Sequence, residues 1–195
     1  SVEAELGYPC FVKPSSLGSS VGVSKVASPD DLETALAQAF AYDEWVLVEE
    51  AIVGREIEVG VLGDLRPEAS APGEIVAADD FYSFDDKYVD GAAKLLAPAP
   101  LPPARADEAR RLALEAFDAC RCEGMARVDL FYEEGGRGFL VNEVNTIPGF
   151  TPISMYPRLF ELAGLTSAGL ADRLVDLALA RRDRRKLRVG RTRPL

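Results

Sequence analysis

The chain predicts an α+β fold in two small lobes, because strand-like and helix-like segments intermix without a regular βαβα rhythm. Three observations carry that prediction. Short apolar runs bounded by turn residues recur along the chain, amphipathic stretches separate them, and a long Pro-, Gly- and Ala-rich span occupies residues 66–103. A span of that kind inside a compact domain marks a functional loop rather than a linker. With 48% hydrophobic and 28% charged residues in 195, the chain has apolar material enough to offset its conformational entropy. No run approaches the ~20 apolar residues of a membrane span.

The elements follow in order. Cys10–Lys13 and Val21–Val26 read as two strands around a turn-rich loop, Pro14–Ser20. A helix opens at Ser28-Pro29-Asp30-Asp31, with a capping Ser, Pro at the first position and acids in the first turn. Leu32, Ala35, Leu36, Ala39 and Phe40 form its apolar stripe. Trp45–Glu50 and Glu56–Leu62 are strands joined through Gly54, and Gly73–Val76 and Lys94–Pro98 are short extended pieces. A helix from about Ala104 to Arg121 turns Leu112, Leu114, Ala116 and Phe117 inward. Ala126–Tyr132 and Gly138–Val144 pair as an antiparallel hairpin across the Glu133–Arg137 turn. Helices at Ser154–Ala163 and Ser167–Arg182 close the pattern.

Composition excludes several chemistries. There is no His, which removes any His-based triad, imidazole base or His-ligated zinc. Three Cys and no secretory pattern at SVEAELGYP point to a reduced cytoplasm, with Cys120 and Cys122 as plain thiols. The net charge is −10, yet residues 181–195 hold eight Arg/Lys against one Asp, leaving −17 on the remaining 180 residues. So acidic a body argues against nucleic acid as partner, and no membrane partner is expected. The basic end could be an RNA or membrane-surface arm, but the plainer reading is a solvated, disordered tail from residue 183. The absence of an initiating Met and a start in mid-pattern read as part of a longer protein.

Chemistry concentrates in three places. Lys13-Pro-Ser-Ser-Leu-Gly-Ser-Ser-Val-Gly22 joins a Lys at a strand end to a loop of small residues, whose backbone N–H groups can approach phosphate oxygens. The Lys precedes the glycines, which disfavours a P-loop; a plain hairpin with a serine-rich turn is the alternative. Arg127 and Asp129 share one face of a strand, and Glu143 and Asn145 share one face of the next. If those faces coincide, two carboxylates and an amide oxygen meet, a hard donor set suited to Mg²⁺; the alternative is a solvent-facing polar side. Finally, Gly149 and Ser154 lie in a loop before a helix whose N-terminus could take a carboxylate, or could simply be capped.

At these residues the chain resembles a known family. GYPCFVKPSSLGSSVGVSKV, VLVEEAIVGREIEVGVLG, PGEIV, FYSFDDKYVDG, ARVDLFY and LVNEVNTIPGFTPISMYP, in that order, resemble the central and C-terminal parts of D-alanine–D-alanine ligases. These are ATP-grasp enzymes that make a peptidoglycan precursor. The resemblance runs from about Leu6 to Arg182 and implies two α+β lobes with nucleotide bound between them, the N-terminal domain being absent. Residues 1–53 would belong to the central subdomain, 54–182 to the catalytic subdomain and 183–195 to a tail.

The resemblance also implies roles. Lys13 would contact ATP phosphates under the Ser15–Gly22 loop, and Glu49, with backbone at Glu50, Ala51 and Ile52, would meet the adenine. Glu56 would hold the ribose. Lys87 would reach the phosphates, and Tyr88 would link to Ser19 to close the loop. Asp129, Glu143 and Asn145 would bind two Mg²⁺, with Mn²⁺ an acceptable substitute. Arg127 and the Gly149 N–H would stabilise an oxyanion, and Ser154 with the Met155 backbone would grip the second D-alanine. Lys87-Tyr88 is the dipeptide-ligase pattern, whereas D-alanine–D-lactate ligases use a His in that loop. D-alanine and ATP are the implied partners, with a homodimer for the full-length protein. An alternative keeps the ATP and metal residues but another amino acid, and a third reading is a non-catalytic nucleotide-binding fragment. The family's first-substrate anchor and a second phosphate-binding Lys lie in parts not found in this sequence, so the 195 residues alone are expected not to join two D-alanines.

Overall fold

The computed structural model describes residues 1–76, 94–151 and 153–187. The chain divides into two compact units, 1–53 with 77–94, and 54–76 with 95–195.

In the first unit, α1 (Val2–Glu5) precedes a three-stranded antiparallel sheet of β1 (Cys10–Pro14), β2 (Ser24–Val26) and β3 (Val46–Glu50), ordered β2-β1-β3. α2 (Pro29–Phe40) packs on one face of it. Period-2 geometry turns Cys10 and Val12 toward that helix, where they meet Val26, Ala35 and Ala39. Burial pushes the Cys10 thiol up. Leu32 and Leu36 flank this core, but Phe40 is exposed, so the expected apolar stripe ends one residue early. Ser28 precedes α2, yet its hydroxyl donates to the Asp31 carboxylate at 3.0 Å instead of accepting a backbone N–H. The expected strand at Val21–Val26 contracts to Ser24–Val26. Ser19, Ser20 and Gly22 all take positive φ (55°, 59° and 74°), which breaks the extended run.

The second unit holds a larger sheet of β4 (Arg55–Gly63), β5 (Glu68–Ala69), β6 (Gly73–Val76), β7 (Lys94–Leu96), β8 (Gly124–Glu133) and β9 (Gly138–Asn145). Its order is β7-β6-β4-β8-β9, with β5 paired to β4. One face carries Ile57, Val59, Val61, Ala126, Val128, Leu130, Tyr132 and Phe139. α3 (Pro103–Ala119) covers it with Ala109, Ala113 and Phe117, an i, i+4, i+8 line whose small members let the helix approach closely. Leu112, Leu114 and Ala116, expected inward, lie only partly buried along its flanks.

The opposite face is shared between a helical layer and an open polar area. α4 (Met155–Leu162) docks over two glycines: a Cβ at Gly60 would come within 2.8 Å of the Phe160 ring, and one at Gly73 within 2.6 Å of the Met155 sulfur. Tyr156, fully buried, donates its hydroxyl to the Val61 carbonyl at 3.0 Å. α5 (Ser167–Lys186) packs beside α4 through Leu170. Here the expectation of a disordered tail from 183 is corrected, because helix continues through Lys186. Its basic end is pinned by acids: Arg184 to Asp64 at 2.5 Å, and Arg181 and Arg185 to Glu123 at 2.6 and 2.8 Å. Among the described residues, no helix is long and apolar enough to cross a membrane.

Candidate functional site

The polar area of the second sheet is assembled by a register irregularity. Counted outward from the turn, β8 and β9 pair Glu133 with Gly138, Tyr132 with Phe139 and Leu130 with Val141. Continued regularly, that count would set Asn142 opposite Asp129 and send Glu143 to the α3 face. A bulge at this point inserts Asn142, so that Asp129 faces Glu143 and Arg127 faces Asn145. On the other side, β4 brings Glu58 opposite Asp129. Three strands therefore present Glu58, then Arg127 and Asp129, then Glu143 and Asn145 on one face.

These side chains form one connected group. Arg127 donates through Nε and Nη2 to the two Asp129 oxygens, both at 2.7 Å, and its Nε lies 3.2 Å from Glu58 Oε1. The Asn145 amide donates to Asp129 Oδ2 at 2.9 Å and to Glu143 Oε1 at 3.1 Å. Burial pulls the Arg127 pKa down, but its hydrogen bonds to Asp129 and the charges of Asp129, Glu58 and Glu143 more than reverse this; the net shift is upward. The guanidinium is thus a permanent charge at a fixed place.

Among the described residues, Glu58 and Asp129 contact the Arg127 guanidinium directly and Glu143 joins them through Asn145, so the cluster is rich in carboxylates. The Asn145 amide group stands where two carboxylate oxygens converge, the position a cation would neutralise. Rotating the amide would present its oxygen there instead, completing a set of hard oxygen donors. By this chemistry Asp129, Glu143 and Asn145 fit a divalent cation such as Mg²⁺. No imidazole competes, since the chain has no His.

Beyond β9, Gly149 and Ser154 lie in contact: a Cβ on Gly149 would come within 2.8 Å of Ser154 Oγ, so close approach is what requires the glycine. Ser154 stands at the N-cap of α4 without capping it; its hydroxyl instead accepts from the Thr151 N–H at 3.1 Å and meets Thr151 Oγ1 at 2.8 Å. The Met155 side chain points away from this loop to cover Gly73.

The first unit carries its own polar face. Phe11 and Lys13 on β1 lie opposite Leu47 and Glu49 on β3, away from α2, and Lys13 Nζ pairs with Glu49 at 2.7 Å. Lys13 and Glu49, which the resemblance gives to different ends of a nucleotide, are thus neighbours. The serine loop after β1 is fastened by Asp43, which accepts from the Ser16 N–H at 2.7 Å and the Trp45 N–H at 3.2 Å. Those backbone bonds hold the Asp43 carboxyl below its ordinary value. Gly22 admits no side chain, as a Cβ would meet the Tyr42 ring at 2.8 Å. Glu50 ends β3, and the Ala51 N–H donates to the Pro9 carbonyl at 3.3 Å, with Ile52 following.

Of the residues singled out in the sequence, the structure gathers Arg127, Asp129, Glu143 and Asn145, and separately pairs Lys13 with Glu49 and Gly149 with Ser154. Glu56 lies two residues from Glu58, opposite Phe131 and Ile75 instead of within the cluster. Lys87 and Tyr88 lie outside the described residues. Glu58 was missed. Its signal was the alternation Glu56-Ile-Glu58 in an otherwise apolar strand, which places a second acid on the polar face.

Comparison with known proteins shows what the chain as a whole is similar to. The family described as "D-ala D-ala ligase C-terminus" matches residues 1–176. A D-alanine–D-alanine ligase of Chlorobaculum tepidum is 54% identical over 175 residues, covering 90% of this chain and 48% of that protein. The corresponding ligase of Geobacillus thermodenitrificans is 48% identical over 186 residues, covering 95% and 51%. Among solved structures, the D-alanine–D-alanine ligase of Coxiella burnetii superposes with a TM-score of 0.79 at 40% identity, over 92% of this chain and 48% of that one. The VanG D-Ala:D-Ser ligase of Enterococcus faecalis gives 0.81 at 37% identity, over 90% and 51%. The chain spans about half the length of the relatives it matches.

Proposed function

The chain belongs to the D-alanine–D-alanine ligase family through its C-terminal part, and from that premise we propose that it supplies the ATP- and metal-handling half of an enzyme joining two D-alanines. The observation that carries the reading is the bulge-built cluster of Arg127, Asp129, Glu143 and Asn145 on an open sheet face. In this reading 1–53 is the remaining central subdomain and 54–182 the catalytic one. ATP phosphorylates the carboxylate of the first D-alanine, releasing ADP. The amine of the second then attacks the acyl phosphate carbon and expels phosphate.

Each residue set has a definite task. Lys13 and the backbone N–H groups of the Ser15–Gly22 loop hold phosphate oxygens, and Ser19 with Tyr88 keeps that loop closed. Glu49, Glu50, Ala51 and Ile52 edge the adenine, Glu56 takes the ribose hydroxyls, and Lys87 adds charge at the phosphates. Two divalent cations held by Asp129, Glu143 and Asn145 supply neutralisation of the transferring phosphoryl group when bound. Arg127, permanently charged, and the Gly149 N–H stabilise the oxyanion formed as the amine attacks. Ser154 and the Met155 N–H receive the carboxylate of the second D-alanine. No side chain needs to form a covalent intermediate, so a chain without His meets the chemical demand. For the full-length protein the family resemblance extends the reading to a cytoplasmic homodimer.

The test is ADP release on adding D-alanine to a protein of the relatives' full length bearing this chain as its C-terminal half. D-alanyl-D-alanine as the product supports the reading. ADP release with D-serine or another amino acid, but not with a second D-alanine, would select a related carboxylate–amine ligase; the likeness to a D-Ala:D-Ser ligase structure makes D-serine the competitor to include. Nucleotide binding without turnover on any amino acid would reject an enzymatic role.

A further inference from the structure

We propose that Glu58 is a positioning residue, whose task is to keep the Arg127 guanidinium in place while Asp129 serves a divalent cation. The inference rests on the metal reading of the cluster given above, and it follows from how one carboxylate is shared. Both Asp129 oxygens accept from Arg127 at 2.7 Å, and Oδ2 accepts from Asn145 as well. The bidentate fork fills the face between the two oxygens, so Asp129 cannot keep this fork and also chelate a cation through both of them. Were Asp129 the only anion beside Arg127, metal binding would set a second positive charge against a largely buried guanidinium deprived of its partner. Such a site would bind metal poorly or lose its arginine.

Glu58 resolves that conflict by its place in the sheet. The strand order puts Asp129 in the middle, with Glu143 and Asn145 on β9 to one side and Glu58 on β4 to the other. Glu58 is 5% exposed, stands in register with Asp129, and reaches Arg127 Nε at 3.2 Å from the side away from the metal donors. Its neighbour on β6 is Gly73, over which the Met155 thioether sits, so this flank is apolar. Arg127 thus has a second, buried anion beside it, on a strand that carries none of the cation's donors.

The experiment titrates the 195-residue chain with MnCl₂ and follows loss of the free aquo-Mn²⁺ signal by electron paramagnetic resonance, with circular dichroism melts as the check on folding. Glu58→Gln keeps the shape and removes the charge; it is expected to weaken Mn²⁺ binding about tenfold, as the loss of an outer-sphere partner does. Glu58→Asp keeps the charge but is one methylene short of Arg127, and it should behave like Glu58→Gln. Wild-type affinity in Glu58→Gln, or full recovery in Glu58→Asp, would overturn the positioning role, the second by showing that charge suffices without contact. Asp129→Asn separates this from the reading beneath it. If Asp129→Asn binds Mn²⁺ as the wild type does, or if neither binds it, the metal site itself fails and the role of Glu58 with it.

Discussion

The two units solve the same structural problem and end with opposite electrostatics. Each buries one face of an antiparallel sheet under a helix and leaves polar side chains on the other. On the first sheet Lys13 pairs with Glu49, partly exposed, next to a loop of small residues. On the second, among the described residues, Glu58, Asp129 and Glu143 gather about Arg127 and Asn145. A lysine beside a loop of small residues suits an anion such as phosphate, whereas an acid-rich cluster asks for a cation. Sheet architecture is common to both, and the side chains chosen for the open face decide which ligand each can take.

The comparison breaks most visibly at Glu143. In the full-length enzyme, Glu143→Gln should lower D-alanine-dependent ADP release by about 10²–10³-fold, the scale of losing transition-state charge stabilisation. The melting temperature should barely move, because Glu143 is exposed. Loss of fold in step with activity would instead make the cluster a structural network.

Next in size is Phe117→Ala beneath the second sheet, where a fully buried ring is removed from α3. It should cost about 3–5 kcal/mol in denaturant unfolding, felt in the second unit. Amide exchange protection in β1 and β3 should persist, and its simultaneous loss would show that the two units unfold as one.

A smaller effect separates function from stability in the first unit. Lys13→Ala should weaken ATP binding measured by calorimetry, yet alter stability by less than about 1 kcal/mol, because its ion pair is partly exposed. Unchanged nucleotide affinity would remove Lys13 from the phosphate site.

The smallest is a pH effect at the β8–β9 turn. Hydrogen bonds from Arg137 draw the Glu133 carboxyl from 4.5 down to about 2. A folded value below the unfolded one stabilises the fold above about pH 4.5, and that contribution is lost as pH falls toward 2. Melts between pH 6 and 2 should therefore fall less steeply for Arg137→Ala than for the wild type, and equal slopes would remove the pair from the acid response.

Much of this was legible from the residues. The alternation of apolar positions located most of the strands, and Ser28-Pro29-Asp30-Asp31 marked the start of α2 where the structure has it. The metal donors were visible as types and spacing, but the reason they share a face was not. A hairpin counted from its turn turns Glu143 inward, and the bulge at Asn142 is a tertiary compromise between the α3 core and the polar face. Glu58 escaped notice because its partner lies on a strand 69 residues away, across β4 and β8. The basic end of α5 was misread as solvated, since Asp64 and Glu123, which hold it, are distant in sequence.

The most direct test of the opposed electrostatics is a titration of the ¹⁵N-labelled 195-residue chain with substoichiometric MnCl₂. The amides of Arg127–Asp129 and Glu143–Asn145 should broaden first, while those of Phe11–Lys13 and Leu47–Glu49 remain sharp, and Asp129→Asn should abolish the difference. Broadening that begins at β1 and β3, or that spreads evenly over both units, would contradict the assignment of the cation to the second sheet.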